Sequence, residues 1–275
     1  MAITAADVKK LRDATGAGMM DAKKALAESD GDHDKAVEFL RISGAVKAAK
    51  RSERDAANGI VAAAGHALIR LGSETDFVAK NQEFISLAEA VAEAVDAAGA
   101  DTVESALDVN LPTGATVAEA VAALSAKIGE KLELSEVARF GGDTHVYLHR
   151  RSQDLPPQVG VLVEYTGADP DIVHHVALQI ASMNPLYIEQ GDIDESVLTS
   201  ERNLAEAAAR EEGKPEQVIP RIVEGKLKDF VKDVCLHDQA PIAHDEPSVG
   251  ALLAKAGVKI TRFARFSAGP DPARR

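Results

Sequence analysis

Apolar residues recur at three- and four-residue spacing through the first fifty positions, but from Asn58 the period becomes two, and the new pattern then occurs twice. "NGIVAAAGHALIRLGSE" gives two short apolar strands around Gly65-His66, which is a hairpin signal. "NQEFISLAEAVAEAVDAAG" follows as an amphipathic helix with Phe84, Leu87, Val91 and Val95 on one face and Asn81 as its N-cap. Further on, "HVYLHRR" and "QVGVLVEYTG" read as paired strands and "PDIVHHVALQIASMN" as the helix behind them, while "KITRFARF" echoes an earlier "VARF". This repetition constrains the fold more than any composition value. It predicts an α+β chain with two related subdomains, each with a small antiparallel sheet, over residues 55–140 and 141–275.

Leu68 matches Leu162 at an offset of 94 and Arg139 matches Arg265 at 126, so the second half carries 32 extra residues. "LTSERNLAEAAAREEGKPEQVIPRIVEGKLKDFVKDV" supplies them as an antiparallel helical hairpin, a coiled coil over about 196–234, with Thr199 or Ser200 starting one helix, Gly213 ending it and Pro215 opening the next. Residues 1–54 form a separate module of three short helices. Thr4 with Asp7 makes the first N-cap pair, "TGAG" stops that helix, Asp21 caps the second, and Ala36, Val37 and Leu40 mark the third. "KAAKRSER" is an exposed linker or helical extension, and "AGPDPARR" a frayed tail.

The formal net charge of -13 makes the surface as a whole repel phosphate backbones and anionic membranes, so direct nucleic-acid or membrane binding is not expected. Residues 1–54 carry 11 basic and 9 acidic side chains against 20 and 35 in the remainder, a step that supports a boundary near residue 50. Cys235 is the single cysteine, which excludes an intramolecular disulfide and fits a small buried hydrophobe in a reducing, cytoplasmic setting. The start lacks the apolar core of a signal peptide, and no stretch of about 18 apolar residues occurs. Phosphate-cradling glycine loops are absent, and the eight histidines lack metal-ligand spacing. No cofactor, metal or covalent catalysis is expected.

Two short stretches stand out against this lack of chemistry. "SETDFVAKNQEF" connects a strand to a helix, yet it holds one of only seven Phe in a chain without Trp, directly after Asp76. Phe77 either folds back beside Phe84 at the rim of the core, with Asp76 capping a short turn, or serves as a partner anchor, a role in which one aromatic carries roughly 2 kcal/mol or more of truncation cost. In "TGAGMM", Met19 and Met20 are either core residues or an adaptable exposed pair.

"LRDATGAGMMDAKKAL", "TDFVAKN" (75–81), "KIGEK" (127–131), "VGVLVEYTGAD" (159–169) and "GKPEQVIPRIVEGKLKDF" (213–230) resemble, in order and over nearly the whole chain, the bacterial translation elongation factor Ts family. The resemblance implies a guanine-nucleotide exchange factor that binds elongation factor Tu, GDP-bound or nucleotide-free, and promotes release of GDP with Mg2+. It implies that the N-terminal module is UBA-like and docks through Leu11, Met19 and Met20, and that Asp76 and Phe77, within the Thr75–Val78 segment, act in exchange. Ile128 and His149 match family positions that reach the phosphate-binding side of the partner. The connection 150–158, "RRSQDLPPQ", is longer than the family pattern and predicts a displaced His149. Partner contact, homodimerisation and length-filling all fit the hairpin. Two other classes remain: an adaptor indifferent to nucleotide, and an enzyme using Asp76, His149 or His174.

Overall fold

A computed structural model describes residues 3–271, side chains at 45–52 excepted. It divides into two compact units. The first runs to Arg139 and takes in Leu148–Val159 and Phe266–Pro270, and the second comprises Phe140–Tyr147 and Gly160–Arg265, with Asp271.

The first unit begins with α1 (Ala5–Thr15), α2 (Met19–Glu28) and α3 (His33–Ser52). Thr4 and Asp7 form a reciprocal capping box, satisfying two backbone N–H groups that α1 leaves without helical partners. Gly16, at φ +67°, ends the helix in the left-handed region. Asp21 is not the cap of α2. The helix starts two residues earlier at Met19, because the Gly18 carbonyl already accepts from Ala22 N–H at 2.9 Å, and Asp21 lies in the first turn. Val8, Leu11, Ala22, Ala25, Leu26 and Ala36 close the bundle core. The backbone of the basic run continues α3, so it is a helical extension.

The rest of the unit is one sheet with helices on it. β1 (Asn58–Ala64) and β2 (Ala67–Ser73) form the expected antiparallel hairpin around Gly65-His66, and β3 (Leu132–Arg139) pairs with β2. A four-residue helix, α4 (Asp76–Ala79), leads into α5 (Gln82–Ala98), whose Asn81 cap accepts from Glu83 N–H and Phe84 N–H. Phe84, Ala88, Val91, Ala92 and Val95 share one core with Ile60, Ile69 and Leu71. α6 (Val103–Leu107) and α7 (Val117–Ile128) complete that core before β3. Asp96 ties sheet to helix: its carboxylate accepts from His66 N–H at 3.0 Å, and its carbonyl from Arg139 Nε at 3.2 Å.

β4 (Asp143–His149), β5 (Val159–Thr166) and β6 (Lys259–Ser267), most of whose residues belong to the second unit, make a second three-stranded antiparallel sheet. α8 (Pro170–Met183), capped by Asp169, buries Val173, Val176, Ala177 and Ile180 with Val161, Val163 and Ile260. The hairpin is α9 (Glu195–Glu211) and α10 (Ile219–Val234). α9 starts at Asp194, which accepts from Ser196 N–H at 2.7 Å, rather than at Thr199 or Ser200. Residues 215–218 close a turn, so α10 opens at Ile219, with Pro220 rather than Pro215 in its first turn. α11 (Val249–Ala256) then returns the chain to β6.

The duplication shows in equivalent contacts. Arg139 Nε donates to the carbonyl of Asp96 and Arg265 Nε to that of Ala181, each the third residue from the end of its half's long helix. The link from strand to long helix differs. It is eight residues in the first half (74–81) and three in the second (167–169).

The tail is held further than expected. Gly269 N–H donates to the Ala57 carbonyl, and Asp271 pairs bidentately with Arg265 at 2.7 and 3.1 Å, the side chains only 4% and 6% exposed. Residues 272–275 lie outside the described residues. Asp271→Ala should leave the guanidinium buried without its counter-charge and lower unfolding free energy by about 3 kcal/mol or more, read by denaturant titration.

His174 and His175 point to different partners, as adjacent helical residues must: His145 Nε2 lies 3.1 Å from His174 Nδ1, and His244 Nε2 lies 3.0 Å from His175 Nδ1. Burial, then the neighbouring His174, holds His145 below its ordinary value of 6.5. The unfolded chain therefore takes up this proton at higher pH than the folded one, so stability falls as pH drops below about 6.5. Thermal midpoints measured from about pH 7.5 to about pH 5.5 should fall less steeply for His145→Asn than for the parent.

Candidate partner-binding site

All nine residues singled out by sequence belong to the first unit. Thr75 leaves β2 in extended geometry (φ -124°, ψ 158°) and stands at the N-cap of α4. Val78 and Ala79 turn inward and are buried in the sheet core. Successive helical residues point roughly 100° apart, so the single turn that buries Val78 directs Asp76 and Phe77 outward. Phe77 is 78% exposed. The fold-back arrangement beside Phe84 is thus not adopted; Phe84 alone fills that place, fully buried. Val78 cannot touch a partner through its side chain and instead props the loop from beneath.

The Thr75 hydroxyl does not cap α4. It donates to Glu130 Oε1 at 2.8 Å, and Thr75 N–H donates to Glu130 Oε2 at 3.0 Å. In return, Glu74 Oε1 accepts from Lys131 N–H at 2.5 Å and also from Arg54 at 3.2 Å. Asn58 Nδ2 holds the Glu74 carbonyl at 2.8 Å, and Ser73 Oγ donates to the Thr75 carbonyl at 2.9 Å. A rigid frame therefore presents an acid and an exposed ring. Glu74 and Glu130 were not singled out from sequence, although "KIGEK" was, because the Thr75–Glu130 pairing spans 55 residues and no local spacing announces it.

Ile128 ends α7 and is partly buried against the same core, immediately before Gly129, whose φ of +88° lets the chain reverse toward Glu130. His149 is exposed at the end of β4, and its carbonyl accepts from Gln158 N–H at 3.0 Å. The long connection therefore closes back on His149. In the N-terminal module Met19 and Met20 are 51% and 75% exposed, so they are surface residues. Leu11 is 0% exposed; its side chain fills the three-helix core and cannot be a direct contact. The 15–18 turn beside the methionines lines a cleft of about 420 Å3 walled across by Ala123, Ala126 and Lys127 of α7.

Burial raises the Cys235 thiol to about 11, so it stays protonated. Among the described residues no group of three or more His, Cys, Asp or Glu is arranged to hold a metal ion, and no helix is long and apolar enough to cross a membrane. Because the Phe77 ring packs on so little, Phe77→Ala should change unfolding free energy by less than about 0.5 kcal/mol, whereas Phe84→Ala should lose about 3 kcal/mol or more, both read by thermal unfolding.

The profile of the family described as Elongation factor TS matches residues 74–270. Elongation factor Ts of Cutibacterium acnes is 60% identical over 269 residues, covering 98% of this chain and all of the relative. That of Mycobacterium ulcerans is 57% identical over 266 residues, covering 97% and 98%. With matches of this extent on a helix-and-sheet fold that displays its one "TDFVAKN" loop to solvent, the chain belongs to the elongation factor Ts family, nucleotide exchange factors for elongation factor Tu in translation elongation that catalyse no covalent chemistry.

Proposed function

We propose that the chain accelerates release of GDP, together with Mg2+, from elongation factor Tu by inserting Phe77 between structural elements of that partner near its nucleotide site. The observation that carries this reading is the exposed Phe77 ring on a loop whose backbone is fixed from several sides. An exchange factor binds the nucleotide-free partner more tightly than the nucleotide-bound one, and the coupling is reciprocal: whatever factor it removes from GDP affinity, GDP removes from its own. A tenfold effect needs about 1.4 kcal/mol of differential binding. Burying one Phe ring contributes roughly 1.5 to 3 kcal/mol, enough to drive part of such a shift. The remainder falls to Asp76, which fixes the ring's approach through a polar contact, and to Met19, Met20, Ile128 and His149 as further docking points.

The acidic net charge supports a protein partner rather than nucleic acid or membrane. The helical hairpin exposes Leu204 and Val218, a surface for either the partner or a second copy. Size-exclusion chromatography with and without the partner separates the two.

The experiment is release of fluorescent GDP from purified elongation factor Tu across Mg2+ concentrations. Substoichiometric protein should accelerate release, and Phe77→Ala should remove about tenfold or more of that acceleration while folding stays intact. Complex formation without acceleration would replace this reading with that of an adaptor.

A further inference from the structure

We infer that Glu130 is a positioning residue for exchange: with Glu74 it forms a two-carboxylate clasp that locks the Phe77 loop to the turn after α7, so that Phe77 and Ile128 meet the partner as one rigid edge. This rests on the exchange role given to Phe77 above.

Three observations carry it. Each turn lends the other a carboxylate: Glu130 takes both the N–H and the hydroxyl of Thr75, and Glu74 takes the N–H of Lys131. Next, Thr75 forgoes the ordinary local use of its side chain. Thr4, Thr102 and Thr116 all cap their own helices through the hydroxyl, but Thr75 leaves α4 uncapped and reaches across to Glu130. A single four-residue turn has little stability of its own, so an outside acceptor must fix its orientation. Finally, the acceptor itself is held. Ser125 Oγ donates to the Glu130 carbonyl at 2.6 Å, and Lys127 bridges α7 to Glu83 on α5 at 2.6 Å. The clasp therefore joins the loop to the frame at both ends. A ring that must enter a crevice gains from such fixing, because each freedom left to the loop is lost again on insertion.

The test uses the full chain, elongation factor Tu and fluorescent GDP. Glu130→Ala should lower the maximal release rate at saturating factor about tenfold, with the half-saturating concentration shifted by less than about twofold. Amide hydrogen exchange over 75–80 should quicken, and the thermal midpoint should stay near that of the parent. Glu130→Gln keeps an oxygen for the Thr75 N–H and should recover most of the rate; Thr75→Val, which loses only the hydroxyl, should fall between. In a double-mutant cycle Phe77→Ala should cost less in the Glu130→Ala background than in the parent. An unchanged maximal rate in Glu130→Ala, or a loss confined to half-saturation, overturns the clasp. So does an equal fall in rate and thermal midpoint in Glu130→Ala and Glu130→Gln, which marks Glu130 as merely structural. If Phe77→Ala alone leaves release unchanged, the exchange reading fails first. If it slows release while Glu130→Ala does not, only the clasp fails.

Discussion

The apolar face of α5 on the β1–β2–β3 sheet is the contact from which the rest of the first unit takes its geometry. Phe84, Val91 and Val95 bury themselves with Ile60, Ile69 and Leu71, and this fixes where the strand must end and where the helix must begin. The chain between these two points has to cover a set gap, and its one buried turn uses Val78 and Ala79 as feet on the same core. Once those feet are placed, helical phase leaves Asp76 and Phe77 no inward direction. The exposure of Phe77 is thus a product of core packing next door, and a change in the core under Val78 would re-aim the ring without touching it.

The two halves solve one packing problem with the same devices. Each ends its last helix in a left-handed glycine, Gly129 or Gly257, so that the closing strand can turn back into the sheet. Each uses an arginine on that strand to satisfy a carbonyl near the C-terminus of its long helix, where the helix dipole favours a cation. The counter-charge comes from different places: Arg139 lies 3.6 Å from the carboxylate of Asp96 itself, whereas Arg265 is met by one from outside its helix and sheet. Asp271 neutralises Arg265 from the chain's own tail, which explains why a segment that reads as frayed is ordered through that residue.

Much of this was legible in the sequence because it is written in short-range patterns. The Gly65-His66 hairpin, the Asn81 cap, the buried stripe of α5 and the Arg139–Arg265 correspondence all follow from spacing within one element or from its repetition. Sequence and structure part where neighbouring candidates compete on nearly equal terms: Gly18 rather than Asp21 opens α2, and Asp194 rather than Thr199 or Ser200 opens α9. The direction of Phe77 could not be read, since a four-residue helix has too few positions for its phase to show in apolar periodicity, and Leu11 could not be told from a surface leucine until the bundle closed around it. The pairing of Thr75 with Glu130 was hidden for a different reason. It depends on tertiary register between distant turns, and hydrogen-bond partners of that kind leave no local mark.

A repeated fold commonly brings spare parts: a feature damaged in one copy has a counterpart in the other. Here the strand-to-helix passage is eight residues in one copy and three in the other, and "TGAD" has neither the length nor an aromatic side chain to stand in for "TDFVAKN". The symmetry ends at the loop that displays Phe77. If exchange runs through Phe77 as proposed, the duplicated scaffold offers it no substitute, and that loop is a single point of failure.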